Sequence, residues 1–259
     1  MDKIYLSVVI PSYNETENLR RGVLDEVKNY LSKQKYTWEV IVSDDESPDT
    51  ESRRLAKDFC DQNQGFIFLA NKHGGKPLAV WSGIQKATGQ LVLFADMDQS
   101  TPISELDKIL PYFDKGFDVV IGSRGLERKK FSIFRKLASF VFRTFRRSIV
   151  LTGIVDTQAG FKCLKTKIAK EIFPMLAVIK SAGTGVKGWT VSSFDVEMLF
   201  IVERRGYKIA EVPILWEDKD ESVAKAKERQ GGKFIKESIE MFQEVLRVKI
   251  NQLRGLYDK

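Results

Sequence analysis

The chain has 259 residues, 43% of them apolar, so it is long enough to bury a sizeable core and its composition excludes wholesale disorder. Its two cysteines, Cys60 and Cys163, and its single histidine, His73, exclude a disulfide framework and a histidine-rich metal site, and they argue against Ser-His or Cys-His catalysis. The net charge is +7, and the stretch 127–147 alone carries eight basic residues against one acid, which predicts a local anionic partner.

Short β-branched runs alternate with segments of helical periodicity along the first half of the chain. The runs predict strands at Tyr5–Ile10, Glu39–Ser43, Phe66–Ala70, Leu91–Ala95 and Asp118–Gly122. The periodic segments predict amphipathic helices at Glu17–Lys33, Thr50–Asn63, Pro77–Thr88 and Ile103–Lys115. This alternation predicts an α/β fold, a mostly parallel sheet with helices on both faces.

Polar side chains follow three of the predicted strands. The first strand leads into Pro11–Glu15, the second into Asp44 and Asp45, and the fourth into Asp96 and Asp98. Ligands of parallel sheets bind beyond the carboxyl ends of the strands, so we expect these groups to converge on one site. Positions i and i+2 of an extended chain share a face, and two carboxylates there suit Mg²⁺ or Mn²⁺, which in turn binds diphosphate oxygens.

A basic amphipathic helix of a different kind is predicted from Phe131 to Ile149. Four phenylalanines fall on its apolar side at ~100° per residue, and most of its arginines and lysines project to the other side. A solvated charged face gives the same pattern, but a helix lying in the plane of a membrane surface explains both faces.

The second half of the chain continues the pattern and ends in a long helix. It predicts strands at Gly160–Lys165 and Lys208–Trp216, with a helix between them at Ser193–Arg205. A mobile polar loop at Glu217–Gly232 and a final amphipathic helix at Lys233–Leu256 are predicted to follow. We therefore expect a catalytic domain at 1–217, which includes the basic helix at 127–150, followed by a loop and helix at 218–259. No run of 18 apolar residues and no signal peptide are found, so we expect a cytoplasmic protein attached peripherally to the cytoplasmic face of a membrane.

Several of these segments resemble a known family. Val8–Glu15, Ser43–Ser47 and Asp96–Asp98 resemble, in order, the landmarks of family 2 glycosyltransferases with the GT-A fold. Further segments resemble the polyprenyl-phosphate branch of that family. They lie at His73–Lys76, Gly83, Ala87–Gly89, Gly122–Arg124, Asp156–Lys162 and Phe194–Glu197. Within the branch these segments are most similar in sequence to dolichyl-phosphate glucosyltransferases and next most similar to dolichyl-phosphate mannosyltransferases.

The resemblance implies a role for individual residues. The donor nucleotide sugar would be bound by Pro11, Tyr13, Glu15, Asp44, Asp45, Lys76, Asp96, Met97 and Asp98. The first three of these would line the nucleoside pocket, and Asp44 and Asp45 would contact the base and the ribose. Asp96 and Asp98 would hold the metal, with Asp98 the direct ligand, and the acceptor phosphate would face Arg124, Arg135 and Ser139. Asp98 and Arg124 are the implied catalytic residues. Arginine suits this role because its planar fork binds phosphate oxygens in pairs.

The resemblance implies a metal-dependent, inverting transfer of a hexose from a nucleotide sugar to a polyprenyl phosphate, dolichyl or undecaprenyl. UDP-glucose is the favoured donor and GDP-mannose the alternative. A lipid phosphate is already anionic, so it needs no general base, which fits a chain with one histidine. A soluble glycan or protein acceptor stays open, whereas nucleic acid is not expected because it would leave the aspartate pairs unexplained. The sequence gives no prediction of oligomeric state.

Two residues and one missing feature leave open questions. The family has a glycine where this chain has Glu46, which puts a turn with positive φ in doubt. Members of the branch often carry carboxyl-terminal membrane helices, which this sequence lacks. Glu197 is either a site residue near the acceptor or a helix-surface carboxylate that pairs with Arg204 or Arg205.

Overall fold

The computed structural model describes residues 3–124, 153–181, 194–217, 219 and 245–257. The strands are β1 (Leu6–Ser12), β2 (Trp38–Asp44), β3 (Phe66–Ala70), β4 (Leu91–Ala95), β5 (Val119–Ser123), β6 (Phe161–Lys165) and β7 (Ile209–Pro213). The helices are α1 (Thr16–Arg20), α2 (Val23–Leu31), α3 (Thr50–Gln62), α4 (Lys76–Lys86), α5 (Leu106–Ile109), α6 (Pro111–Asp114), α7 (Thr166–Ile172), α8 (Ala177–Lys180) and α9 (Phe194–Arg204), with 3₁₀ turns at Ile103–Glu105 and Phe173–Met175. A further helix at 245–253 is called the tail helix below.

The strands form one mostly parallel sheet in the order β3-β2-β1-β4-β6-β5-β7. β1 pairs in parallel with β2 and β4, β2 pairs in parallel with β3, and β5 pairs in parallel with β7, whereas β6 runs antiparallel to β4 and β5. The chain winds outward from β1 in both directions, and such a reversal of strand order is where α/β sheets bind ligands. The predicted α/β architecture is confirmed.

Two apolar cores cover the two faces of the sheet. Alternate side chains of each strand point to opposite faces, so Val9 and Ile41 lie in one core and Val8 and Val40 in the other. The first core is completed by α4, α7, α9 and the tail helix, and the second by α2, α3 and α5. Both cysteines are buried and free, as their scarcity predicts.

All seven predicted strands are present, and one of them is shorter than predicted. The segment predicted as Lys208–Trp216 pairs only as far as Pro213. Beyond it the backbone leaves the sheet, because Leu215 N donates to the buried Glu105 carboxylate (3.0 Å) and Glu217 N donates to Ser100 O (2.8 Å).

Two predicted helices are interrupted. The segment Glu17–Lys33 is two helices, because Gly22 takes φ +84° and turns the chain between α1 and α2. The segment Ile103–Lys115 is a 3₁₀ turn followed by α5 and α6, and α6 begins at Pro111, which lacks the N–H that a continuous helix needs.

The tail helix belongs to the core of the sheet domain. Val245 and Val248 are fully buried in the first core, and Tyr257, just beyond the helix, packs edge-on against Phe200 of α9 with ring centroids 5.6 Å apart. The periodicity of the sequence predicts an apolar face that includes Leu246, Leu253 and Leu256, and over the described residues this prediction is wrong. These three leucines are exposed, whereas the buried face contains the two valines.

Parts of the sequence-based prediction lie outside the described residues. These are the basic helix at 127–150 with Arg135 and Ser139, and most of the polar loop and the first half of the final helix. The division at 217/218 stays a prediction. In the part of the chain that the structure describes, no helix is long and apolar enough to cross a membrane.

Candidate active site

Polar turns follow β1, β2 and β4, which are neighbours in the sheet. Each turn contains a residue with positive φ, namely Asn14 (58°), Glu46 (55°) and Gln99 (50°), and these are the non-glycine residues with positive φ in the described ranges. This conformation is unfavourable for L-residues and concentrates at functional sites. The expectation that Glu46 endangers the turn is wrong. The turn keeps its positive φ, and the Glu46 carboxylate accepts a hydrogen bond from His73 N at 2.9 Å.

An aromatic pair marks one end of this edge. The rings of Tyr13 and His73 stack with centroids 5.2 Å apart and planes 26° apart. His73 Nδ1 lies 2.9 Å from Asp45 Oδ2, so the imidazole is held between the tyrosine ring and a carboxylate. The sequence analysis gave His73 no role. Its place in the His-Gly-Gly-Lys segment, between β3 and α4, was the available signal.

Both aspartates after β2 are buried and bonded within the protein. Asp45 accepts hydrogen bonds from Gly74 N and Gly75 N, both at 2.8 Å, and burial raises its pKa although these bonds and His73 oppose the rise. Asp44 accepts from the Ser47 hydroxyl (2.6 Å) and lies 3.3 Å from Arg53 Nε. Contacts of Asp44 and Asp45 to base and ribose stay predictions. In the structure the two side chains hold the turn after β2 and the segment before α4 in place through these hydrogen bonds.

The aspartate loop, residues 96–100, carries the second pair of carboxylates. Asp96 is paired with Lys76, the first residue of α4. Burial lowers the pKa of Lys76, but the charge and hydrogen bond of Asp96, aided by Asp195 and Asp98, outweigh it and leave the pKa raised. Asp98 accepts hydrogen bonds from the N–H and the hydroxyl of Ser100, both at 2.8 Å. Met97, between the two aspartates, is buried in the second core.

The aspartate loop fits a hard divalent cation. A Cβ added at Gly160 would stand 1.9 Å from Asp96 Oδ2, so the carboxylate occupies space that only glycine leaves open. Within the described ranges no three His, Cys, Asp or Glu side chains form a ready-made metal cluster. Asp96 and Asp98 supply oxygen ligands, and a cation such as Mg²⁺ takes its remaining ligands from water and phosphate. Two carboxylates would leave room for such ligands.

Arg124 is locked by a carboxylate at the end of β5. Its Nε and Nη2 donate to the two oxygens of Asp156 at 2.7 and 2.8 Å, and its guanidinium lies 5.7 Å from the Trp216 ring centroid. Asp156 is largely buried, but the bonds and charge of Arg124 outweigh desolvation and hold the pKa of Asp156 well below its usual range. Glu211 of β7 in turn accepts from the backbone N–H groups of Val155 and Asp156, both at 2.7 Å.

A second buried ion pair lies beneath the aspartate loop, and the sequence analysis assigned it no role. Lys162 of β6 is fully buried, and its Nζ lies 2.7 Å from Asp195 Oδ1 and 5.5 Å from the centroid of Phe94. Asp195 also contributes to the raised pKa of Lys76. Both residues sit in segments that resemble the family, but their pairing joins positions far apart in the sequence.

Glu197 does not lie on the helix surface. It is fully buried, its carboxylate accepts hydrogen bonds from the Tyr257 hydroxyl (2.6 Å) and Ala177 N (3.1 Å), and Arg247 Nη2 lies 3.7 Å away. The interpretation that it pairs with Arg204 or Arg205 is wrong, because α9 turns this position into the core. Glu197 fixes the tail helix and Tyr257 to α9.

Comparison with known proteins decides the family. The model of glycosyl transferase family 2 matches residues 7–173, which contain β1 except its first residue, β2 to β6 and the turns that carry the aspartates. The chain belongs to glycosyltransferase family 2. The predicted resemblance is confirmed.

Similar family 2 relatives carry one name. A dolichyl-phosphate β-glucosyltransferase of Trichomonas vaginalis is 33% identical over 86% of this chain and 68% of its own length. The human dolichyl-phosphate β-glucosyltransferase is 32% identical over 82% of this chain and 67% of its own length, and that of Saccharomyces cerevisiae is 29% identical over 99% and 77%. The predicted enzyme class, a nucleotide-sugar-dependent hexosyltransferase, is confirmed.

Solved structures of similar fold are more distant in sequence. Mannosyl-3-phosphoglycerate synthase from Rubrobacter xylanophilus superimposes with a TM-score of 0.62 at 18% identity, covering 97% of this chain and 74% of its own. Glucosyl-3-phosphoglycerate synthase from Mycobacterium tuberculosis, in complex with Mn²⁺, UDP and phosphoglyceric acid, gives 0.60 at 16% identity, covering 95% and 78%. These likenesses confirm the predicted GT-A fold.

Proposed function

We propose that this family 2 enzyme transfers glucose from UDP-glucose to a dolichyl or related polyprenyl phosphate, with inversion at the anomeric carbon, at the cytoplasmic face of a membrane. The observation that carries the proposal is the meeting of the Tyr13–His73 stack, Lys76 and the aspartate pair along one edge of the sheet. The relatives named dolichyl-phosphate β-glucosyltransferase support the sugar, the lipid and the β-linked product.

The donor would lie along the edge formed by the turns after β1, β2 and β4. Tyr13 and His73 offer an aromatic surface to the base, in the pocket that Pro11 and Glu15 are also predicted to line. The ammonium of Lys76 is held by Asp96 and stays protonated, so it can neutralise a diphosphate oxygen. The proposed donor is thereby bound through stacking at one end and charge at the other.

Asp96 and Asp98 would hold the divalent cation, Mg²⁺ or Mn²⁺, and the Mn²⁺ and UDP bound to the Mycobacterium tuberculosis enzyme support the use of such a cation. When bound, such a cation supplies positive charge against the negative charge that develops on the departing diphosphate. Ser100 orients the Asp98 carboxylate and Gly160 leaves room for that of Asp96. These contacts position the ligands before the metal arrives.

The acceptor phosphate would approach Arg124. Asp156 occupies Nε and Nη2, so the guanidinium is fixed in direction and Nη1 remains the nitrogen that this pair does not use. A phosphate monoester is anionic near neutral pH and attacks the anomeric carbon without a base, which leaves positioning as the main task of the protein. Arg135 and Ser139, outside the described residues, stay predicted partners of the same phosphate.

The tail helix supports attachment to a membrane surface. The exposed side of the helix and of the turn after it carries four large apolar residues, Leu246, Ile250, Leu253 and Leu256. Leu253 is the most exposed of them, at 77%. The segment 245–257 contains three basic residues and no acid. An exposed apolar row flanked by positive charge is typical of a helix that lies on an anionic bilayer. We propose that this face and the predicted basic helix at 127–150 bring the enzyme to its lipid acceptor.

A matrix of donors and acceptors tests the proposal. The purified chain would be given UDP-glucose or GDP-mannose, with a short polyprenyl phosphate or 3-phosphoglycerate, and with Mg²⁺, Mn²⁺ or EDTA. We expect a glucosyl lipid from UDP-glucose that disappears with EDTA. Mannosyl lipid as the main product would overturn the sugar, and product only with 3-phosphoglycerate would overturn the lipid acceptor.

A further inference from the structure

The break between α1 and α2 turns one arginine toward the aspartate loop. Gly22 adopts φ +84°, which glycine accepts without the penalty of a side chain. Arg21, just before it, donates from Nη2 to the carbonyl oxygen of Asp98 at 2.6 Å. The residues are 77 positions apart in the sequence, so the contact is made only by the fold.

The same nitrogen of Arg21 continues into a chain of hydrogen bonds. It also donates to Asn18 Oδ1 at 3.2 Å, and Asn18 Nδ2 donates to Glu15 Oε2 at 2.6 Å. Asn18 is fully buried, and the carboxylate on one side and the guanidinium on the other fix which way its amide points. A continuous path therefore runs from Glu15, at the predicted nucleoside end, to the backbone of the aspartate loop.

The contact at Asp98 acts on a strained peptide. The Asp98 carbonyl belongs to the peptide bond that leads into Gln99, whose φ is +50°. Gln99 is buried, and its side-chain Nε2 donates back to Asp96 O at 3.1 Å. A hydrogen bond from a charged donor to the Asp98 carbonyl holds this peptide in the orientation that the turn needs. The orientation of the peptide in turn sets the direction of the Asp98 side chain.

Arg21 is held at a cost. Its Nε is buried and has no hydrogen-bond partner among the described residues. A buried donor left unpaired lowers stability, and such features persist mainly where function requires them. The neighbouring Arg20, in contrast, is half exposed and pairs with Glu17 and Glu51 at the surface. The two adjacent arginines therefore form a matched pair for experiment.

We infer that Arg21 is a positioning residue that couples the nucleoside end of the site to the metal ligand Asp98. Arg21 contacts the backbone of the ligand residue, and Asn18 transmits the position of Glu15 to it. The inference rests on the proposed use of a metal and a nucleoside diphosphate, but it is independent of the sugar and the acceptor. Loss of Arg21 should reduce the free energy of joint binding of cation and nucleotide by more than it reduces the free energy of unfolding.

Isothermal titration of the full chain with UDP, in the presence and absence of Mn²⁺, tests the coupling without sugar or lipid. Arg21→Ala should weaken binding of UDP with Mn²⁺ by about 10-fold to 100-fold, since a charge-assisted bond to the loop is lost. Arg21→Lys should fall between this variant and the original chain, because a lysine reaches one of the two acceptors but lacks the guanidinium fork. Arg20→Ala should bind as the original chain does.

The double variant Asn18→Ala with Arg21→Ala separates coupling from two independent losses. If the path is continuous, the double variant loses less than the product of the two single losses. Thermal unfolding of each variant gives the purely structural effect. Unchanged Mn²⁺-dependent UDP binding in both Arg21 variants, whatever their melting temperatures, would overturn the inference alone. If the original chain itself binds no UDP with Mn²⁺, the proposed donor fails and the inference fails with it.

Discussion

Two regions of the site hold their charged groups in different ways. The first is the donor edge, formed by the turns after β1, β2 and β4, and the second is the Arg124 cluster, formed by Arg124, Asp156 and Glu211. Along the donor edge, the carboxylates lie beside residues with positive φ, and Asp96 and Asp98 have a single lysine and a serine as partners. At the end of β5, Arg124 and Asp156 form a planar, two-point pair that β7 supports from behind. The first arrangement can exchange its partners for a ligand, whereas the second offers a group whose direction is already fixed.

This difference suits a site that binds two anions, the proposed nucleotide-sugar donor and the proposed acceptor phosphate. In the proposed reaction the donor arrives with a metal and leaves as a nucleoside diphosphate, so the groups that hold it must release and rebind their partners. The acceptor phosphate only has to be aimed, and preorganised groups lower the cost of aiming because little reorganises at the moment of reaction. Substitutions on the two sides should therefore fail in different ways.

The largest expected effect is at the donor edge. Asp98→Ala removes the proposed metal ligand, and we expect turnover to fall by about 100-fold to 1,000-fold while the melting temperature changes little. The measurement is the initial rate of glucosyl transfer over a range of Mn²⁺ concentrations. Asp25→Ala, at an exposed position on α2, is the matched control. A normal rate in Asp98→Ala would show that the metal lies elsewhere.

Lys76→Met should lower turnover by roughly 100-fold, because a positive charge beside the diphosphate is lost. Since the pKa of Lys76 is raised, the charge is fully present at neutral and mildly alkaline pH and is lost only above its ordinary range. We therefore expect a rate profile without a lysine titration between pH 6 and about 9. Lys86→Met, at the exposed end of α4, should be normal. Full activity in Lys76→Met would remove the lysine from donor binding.

On the acceptor side the loss should appear first in stability. Asp156→Asn leaves Arg124 buried without its counter-charge and should lower the free energy of unfolding by roughly 3 kcal/mol. The pKa of Asp156 is depressed in the folded state, so its contribution is present above the unfolded value of about 4 and is lost as the pH falls below it. Denaturant unfolding between pH 3 and about 7 measures both effects.

Asp58→Asn is the control for that experiment, because Asp58 forms an exposed pair with Arg54. It should leave both the stability and its acid dependence almost unchanged. If Asp156→Asn keeps the acid dependence of the original chain, another carboxylate is responsible. If it raises the KM for the lipid more than that for UDP-glucose, the acceptor-side assignment of Arg124 is strengthened.

The smallest effect is expected at the tail helix. Leu253→Glu places a charge on its most exposed apolar position and should weaken binding to phosphatidylserine vesicles by about 10-fold. Leu215→Glu changes an exposed leucine beyond β7 and is the control. Flotation measures binding, and transfer to a short, detergent-solubilised acceptor should be normal in both. Equal flotation of the two variants would mean that the tail helix does not touch the bilayer.

The sequence predicts the sheet well because local patterns determine it. Apolar β-branched runs and helical periodicity locate all seven strands and most helices, and the polar residues after β1, β2 and β4 locate the donor edge. The shortened β7 depends instead on a contact to Glu105, and Arg21 reaches the aspartate loop across 77 positions, so no local pattern records either contact.

The pairing of charges within the site was not predictable in the same way. Arg124 and Asp156 are 32 positions apart, and Glu197 and Tyr257 are 60 apart, so only the assembled fold brings them together. The Glu46 turn shows the converse. A residue that departs from the family pattern keeps the same backbone conformation, because its side chain gains a hydrogen bond from His73 that glycine could not make.

The buried contact between Glu197 and Tyr257 has a consequence for how the chain can be shortened. Asp195, the partner of Lys162, lies two residues before Glu197 on α9, so the last turn of the described chain braces the helix that carries this buried ion pair. A protein cut before residue 245 would leave a buried carboxylate without its hydroxyl partner and two core valine positions empty. Such a truncation would therefore damage sugar transfer together with the proposed membrane attachment, so removing the carboxyl terminus would not separate the two.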